Sequence, residues 1–281
     1  MRLFAQSPAN GQPLAMSQDW LWHDLHVHTR PHSPDAHRRA KLPAMLQQAA
    51  RNGVPTVGLA NHYFPKTDFK IFQGLSAEVQ AQTPPGMHIL VGAELCVLDS
   101  SGTIRLSEAE FRQLDFVIAG PHHLKQRWVE KPPLNNASLF VEHQHQMLLG
   151  AVRNPSVNGL AHPWVINVQH ARRCWGFKAE EFLQAWNEQH FAELGEAAGR
   201  CNTAIEIGMG IHLMARHQGE LFWHKYVRGM QAARAAGARF YFGSDAHHLF
   251  VVARLDWLRP TLKVLGFRAK DIISPLEWVR P

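Results

Sequence analysis

The sequence predicts an α/β fold: a closed TIM-like barrel of about seven parallel strand–helix units in a single domain. Three observations carry this. Short apolar runs alternate with longer segments of helical period, as a parallel sheet needs because each strand must be followed by a crossover. Most of these runs end on a histidine or a carboxylate, and parallel strands collect their C-terminal ends on one rim. Paired candidate ligands stand in the first run, His26-Val-His28, and after the last, Asp245-Ala-His247, as closure of a barrel would require.

Taken in order, Asp24-Leu-His-Val-His28 is the first strand. Side chains alternate faces along a strand, so His26 and His28 point the same way. The following loop carries Pro31 and Pro34, which forbid regular structure. Leu42, Met45, Leu46 and Ala49 then share one helical face, and Gly53 closes that helix. Thr56–His62 is a second strand with a terminal histidine. A helix around 76–82 leads to the strand His88–Glu94, and Phe116–His122 is the fourth. A helix over 137–152 precedes the fifth strand, which runs from Val157 to His162-Pro163. One long helix over 178–200 feeds the sixth, Thr203-Ala-Ile-Glu206-Ile. A helix presenting Trp223, Tyr226, Val227 and Met230 on one face feeds the seventh, Arg239–Asp245.

Length and composition bound the function. A chain of 281 residues with 46% hydrophobic residues suits one α/β barrel. No glycine- or serine-rich linker divides it, so residues 21–281 are expected to form the barrel and residues 1–20 a flexible leader. No stretch approaches the roughly 20 apolar residues of a membrane span. Three widely spaced cysteines make no disulfide framework. A cytoplasmic protein with no membrane partner is expected. The formal charge of +6 suits an anionic substrate. Nucleic acid is a less favoured partner, because no basic run or aromatic–basic repeat accompanies that charge.

One histidine at a strand end is commonly a hydrogen-bonded turn residue. Eight candidate ligands at strand ends, His26, His28, His62, Glu94, His122, His162, Asp245 and His247, are a different matter, because the barrel would converge them across more than 200 residues of sequence. A mixed set of imidazoles and carboxylates suits zinc, manganese or iron better than magnesium or calcium.

At these residues the chain resembles the PHP (polymerase and histidinol phosphatase) superfamily. Asp24-Leu-His-Val-His-Thr29 is similar to its first motif and Ala60-Asn-His62 stands where Thr-Asp-His is usual. Gly92-Ala-Glu94, Ala119-Gly-Pro-His122, Leu160-Ala-His-Pro163 and Gly243-Ser-Asp-Ala-His247 follow in order. The resemblance covers nearly the whole chain after Trp20. It implies a distorted (β/α)7 barrel, a cluster of two or three divalent metal ions (Zn, Mn or Fe) and hydrolysis of phosphate esters. It implies that Glu94 bridges two metals, that Asp245 and His247 complete a site with His26 and His28, and that His62 and His122 bind with Glu94. Asp35, with His162, would serve the remaining metal. The first loop is one residue longer than usual, so His37 and His32 are rivals of Asp35. Asn61 replaces an aspartate outside the ligand set.

Glu94, Asp245 and His247 are accordingly the expected catalytic residues. Clustered divalent metals lower the pKa of water and clamp the attacking and leaving oxygens. The expected partner is a small phosphorylated substrate, and arginine suits phosphate because its planar fork matches phosphate oxygens. Arg172 and Arg173, after the fifth strand, are the first candidates, and Arg30 in the first loop is next. An exonuclease or cyclic phosphodiesterase is the nearest alternative, followed by a metal-filled barrel without catalysis.

Overall fold

In a computed structural model of the chain, residues 22–121, 126–133, 136–164, 176–209 and 219–279 are described. They form seven strands: β1 His23–Val27, β2 Thr56–His62, β3 His88–Cys96, β4 Phe116–Gly120, β5 Gly159–Leu160, β6 Ala204–Gly208 and β7 Phe240–Gly243. The sheet runs β1-β2-β3-β4-β5-β6-β7, and every neighbouring pair is parallel. Eight α-helices accompany them among the described residues: α1 Leu42–Arg51, α2 Lys70–Gln82, α3 Glu108–Phe111, α4 Ala137–Arg153, α5 Ala179–Ala185, α6 Glu188–Cys201, α7 Glu220–Ala235 and α8 Leu255–Leu265.

The barrel closes at the β1–β7 seam by an unusual route. Among the described residues one backbone bridge, Val27 to Ala246, spans it, with His28 N–H donating to Ala246 O at 3.0 Å and Ala246 N–H to His26 O at 3.2 Å. Lower down, side chains replace the ladder. His23 Nε2 accepts from Phe242 N–H at 3.0 Å. Asp24 accepts from Ser244 N–H at 2.9 Å and from Ala253 N–H at 2.8 Å. Buried backbone donors need partners, and these two residues supply them where two strands diverge. Burial is the dominant influence on Asp24 and pushes its carboxyl up to about 6 despite those donors.

Inside the barrel, Leu25, Ala60, Leu90, Phe116, Ile118, Ala161, Ala204, Tyr241, Ile273 and Trp278 form a compact plug at its base. Phe116 and Trp278 stack at 5.4 Å. Gly92 makes room for the plug, since a Cβ there would lie 2.5 Å from the Phe116 ring. A larger apolar layer lies between the strands and the surrounding helices. The chemistry-bearing end is thus the opposite one.

Several expected boundaries differ. β5 is two residues long, because His162 turns out of the sheet at a φ of 32°. The expected helix over 178–200 is two helices. Trp186 and Asn187 adopt extended backbone, and the Asn187 side chain accepts from His190 N–H at 3.2 Å to start α6 anew. On α7 the buried face holds Phe222, Tyr226, Gly229, Met230 and Ala233, with Trp223 and Val227 on its shoulder. The expected leader, residues 1–20, lies outside the described residues. No helix among the described residues is long and apolar enough to cross a membrane.

Candidate metal centre

The C-terminal ends of the strands bring eight of the nine expected ligands into one cluster. His26 and His28, both fully buried, face inward from the end of β1. Glu94 on β3 lies among them: its Oε2 is 3.4 Å from His26 Nε2, 3.5 Å from His28 Nε2 and 2.8 Å from His62 Nδ1. Its other oxygen, Oε1, is 2.9 Å from His162 Nε2. Asp245 Oδ1 lies 3.5 Å from His26 Nε2 and 3.2 Å from His28 Nε2. Asp35 Oδ2 joins His62 Nε2 at 3.0 Å and His247 Nε2 at 3.2 Å. Two sub-clusters follow, sharing His28: His26, His28, Glu94 and Asp245 in one, His28, His62 and His247 in the other. Within each, the candidate ligand atoms lie within 4.8 Å of one another.

Three imidazoles are oriented by a bond to the nitrogen that faces away from the centre, as metal-binding histidines are. His26 Nδ1 meets Glu206 Oε2 at 2.8 Å, His28 Nδ1 meets Ser33 Oγ at 3.1 Å, and His247 Nδ1 meets Asp245 O at 3.0 Å. The Nε2 atoms of His26 and His28 are buried without a hydrogen-bond partner among the described residues. A buried nitrogen left without a bond is costly, and a cation between these nitrogens and the carboxylates would remove that cost. The donor set therefore fits a divalent transition metal.

The electrostatics agree. Burial dominates at His28 and pushes it down to about 3, which keeps it neutral and able to ligate. At His26 burial works the same way, but the Glu206, Glu94 and Asp245 carboxylates overcome it and hold the ring well above its ordinary value. His62 is likewise lifted against burial, by Glu94 and Asp35, to about 10. Packing works against ionisation of Asp245, yet His26 and His28 beside it hold its carboxyl below the usual range. Without a cation, protons on the histidines balance the carboxylates. Two of the expected ligands sit on strained backbone, His162 with φ 32° and Asp245 with φ 50°, a conformation costing about 1–3 kcal/mol for a residue with a Cβ.

The loop after β1 separates the three rivals for the ninth position. Asp35 points into the cluster, His32 turns toward Glu78 at 3.8 Å, and the His37 ring lies tilted against His248 at 4.7 Å. Asn61 ties this loop to β2: its Oδ1 accepts from Thr29 N–H at 2.7 Å, a task that an amide performs as well as a carboxylate. Arg30 braces the same loop, with Nε donating to Ala36 O at 2.8 Å. His122, Arg172 and Arg173 lie outside the described residues.

No protein-family model matches the chain. Among curated proteins it is 25% identical over 235 residues to a probable phosphatase of Acetivibrio thermocellus, covering 83% of this chain and 82% of that one. It is 26% identical over 235 residues to a probable phosphatase of Caldanaerobacter subterraneus subsp. tengcongensis, covering 83% and 79%. The chain is a relative of these probable phosphatases. Among solved structures it resembles histidinol phosphate phosphatase from Lactococcus lactis, solved with zinc, L-histidinol and phosphate. The TM-score is 0.56 at 16% identity, over 89% of this chain and 95% of that one. At that identity the likeness supports the barrel fold, and together with the probable phosphatases it agrees with the family read from the motifs.

One residue of the site was placed at a strand end by the sequence but given no part in the cluster. Glu206 on β6 is buried and gathers three donors on Oε2. These are His26 Nδ1, His162 N–H at 3.1 Å, and Tyr241 OH, which lies 3.0 Å away and shares its hydrogen with Leu160 O at 3.1 Å. It holds His26 by its ring and His162 by its backbone. Gly243 leaves space for it, since a Cβ there would approach the Glu206 carboxylate carbon and His26 Cβ at 2.8 Å each. The available signal was a carboxylate in an otherwise apolar strand, with nothing in the sequence to pair it.

Proposed function

We propose that the chain is a metal-dependent phosphoesterase acting on a small phosphomonoester, as its phosphatase relatives suggest. His26, His28, Asp35, His62, Glu94, His162, Asp245 and His247, with His122, would hold two or three divalent ions (Zn, Mn or Fe). One observation carries the reading: the buried, unbonded Nε2 atoms of His26 and His28 face the oxygens of Glu94 and Asp245. Divalent cations in such a site supply charge neutralisation for phosphoryl oxygens and a nucleophilic water at neutral pH.

The protein residues do the rest. Glu94 spans the cluster, one oxygen toward His162 and the other toward His26, His28 and His62, as a bridging carboxylate must. Asp245 and Asp35 are the carboxylates open to solvent, with side chains 39% and 43% exposed. They stand at the mouth, where water and a leaving group would have access to the cluster. His247 sits between them, its Nε2 3.2 Å from Asp35 and its Nδ1 3.4 Å from Asp245, where Nε2 would be offered to a cation beside the open mouth. Arg172, Arg173 and Arg30 remain the candidates for orienting the phosphate.

The test is elemental analysis of protein purified without chelator, followed by assays on para-nitrophenyl phosphate, histidinol phosphate and short oligonucleotides. The expected result is two or three transition-metal ions per chain and turnover of the monoesters. Less than one ion after reconstitution with zinc or manganese would overturn the cluster. Turnover of oligonucleotides alone would reassign the enzyme as a nuclease.

A further inference from the structure

Beside the cluster lies a surface that the hydrolytic site does not use. Two residues after Asp35, the chain is pinned to the β7 loop by His37 N–H donating to His247 O at 2.9 Å. From that pin an aromatic row leads outward: the His37 ring lies tilted against His248 at 4.7 Å, and His248 tilted against Phe250 at 5.3 Å. Phe250 is 59% exposed. It is not on a loose tip. Arg254 Nη1 donates to Phe250 O at 2.9 Å, and Val251 N–H to His248 O at 3.1 Å. Arg254 is itself fixed by Asp256 at 2.6 Å and by the Trp257 ring at 3.8 Å.

Arg38 and Arg39 follow His37 directly in the chain. Both are exposed, and neither is ion-paired to a carboxylate among the described residues, in contrast to Arg254. The rim next to Asp35 and His247 thus combines a braced ring face with two unneutralised guanidinium groups.

We infer that this rim binds the leaving group of the substrate: a planar ring stacked on Phe250 and His248, carrying a second anionic group held by Arg38 and Arg39. The substrate class is then an aryl or heteroaryl phosphomonoester with a further negative charge. Aromatic rings offer their faces to such a ring, and arginine matches carboxylate or phosphate oxygens in a bidentate fashion. The inference rests on the phosphoesterase reading for its reaction but not for its binding.

Three probes separate the parts, all used on the metal-loaded full chain. Glycerol 1-phosphate has neither ring nor second anion, phenyl phosphate has the ring, and 4-carboxyphenyl phosphate has both. We expect kcat/KM to rise at each step, with 4-carboxyphenyl phosphate about tenfold above phenyl phosphate, the scale of one charged hydrogen bond. In Arg38→Ala/Arg39→Ala that ratio should fall to near one. In Phe250→Ala the ratio of phenyl phosphate to glycerol 1-phosphate should fall about fivefold, the scale of an aromatic contact. Ratios that stay at their wild-type values in both variants would overturn the inference.

Binding is read separately by saturation-transfer NMR on 4-hydroxybenzoate, which carries ring and anion but no phosphoester. A signal lost in the arginine double variant supports the rim even if no phosphoester is hydrolysed, in which case only the phosphoesterase reading fails. A signal unchanged in the double variant counts against the rim whatever the turnover.

Discussion

A single carboxylate, Glu206, lies outside the proposed ligand set yet contacts one of its members, His26. His26 can offer Nε2 to a cation only if Nδ1 carries its proton, and Glu206 accepts that proton's bond at 2.8 Å. Removing such a partner typically lowers metal affinity ten- to a hundredfold. Glu206→Ala should therefore weaken metal binding by about tenfold or more, and Glu206→Gln should restore part of it, because the amide oxygen can still accept from Nδ1. Competition against a chelator of known affinity measures both. Equal affinities in wild type and Glu206→Ala would reduce Glu206 to packing. The proposed direct ligands should be more severe: Glu94 contacts residues of both sub-clusters, so in Glu94→Ala elemental analysis should find ion content reduced at more than one position. A variant with full metal content and near-native turnover would remove Glu94 from the centre.

Elements were legible in the sequence to the degree that their own side chains determine them. The apolar periodicity of α1 marks Leu42, Met45, Leu46 and Ala49, and all four are buried. β2 begins and ends where its apolar run does, at Thr56 and His62. The strand-end ligands were legible because a parallel barrel turns position along the chain into position on one rim. What was not legible depends on partners far away in sequence. β5 stops early because His162 is drawn toward Glu94 and Glu206. Asp24 reads as part of a metal motif, yet its contacts are the amides of Ser244 and Ala253. The break between α5 and α6 had a local signal, Asn187 ahead of a helical run, that the longer periodicity concealed. That cap makes its own prediction. Asn187→Ala should lower stability by about 1 kcal/mol in urea unfolding, with metal content unchanged. No change in the midpoint would mean that packing of Trp186, Phe191 and Phe222 alone sets the start of α6.

Across the whole molecule, one column of contacts runs up the barrel from base to rim. Trp278 packs on Tyr241 at 5.1 Å, the Tyr241 hydroxyl meets Glu206, Glu206 orients His26, and His26 faces Glu94 and Asp245. The apolar plug and the metal centre are therefore parts of one stack, and occupancy of the rim should be felt as stability of the whole. A ligand that binds only the folded chain adds about 2.7 kcal/mol at a hundred times its Kd. Zinc or manganese at that excess should raise Tm by several degrees, given about 2–4 °C per kcal/mol for domains of roughly this size, and a chelator should reverse the rise. The control is Glu94→Ala, in which the plug is intact but the cluster has lost the carboxylate proposed to bridge it, so the metal-induced rise should shrink. The converse control is Trp278→Ala, which should cost about 3–5 kcal/mol while leaving a rise on adding metal. If Glu94→Ala keeps the full metal-induced shift, the stabilising ion binds elsewhere. If Trp278→Ala abolishes it while the chain stays folded, the base of the column governs the rim more tightly than its separate contacts imply.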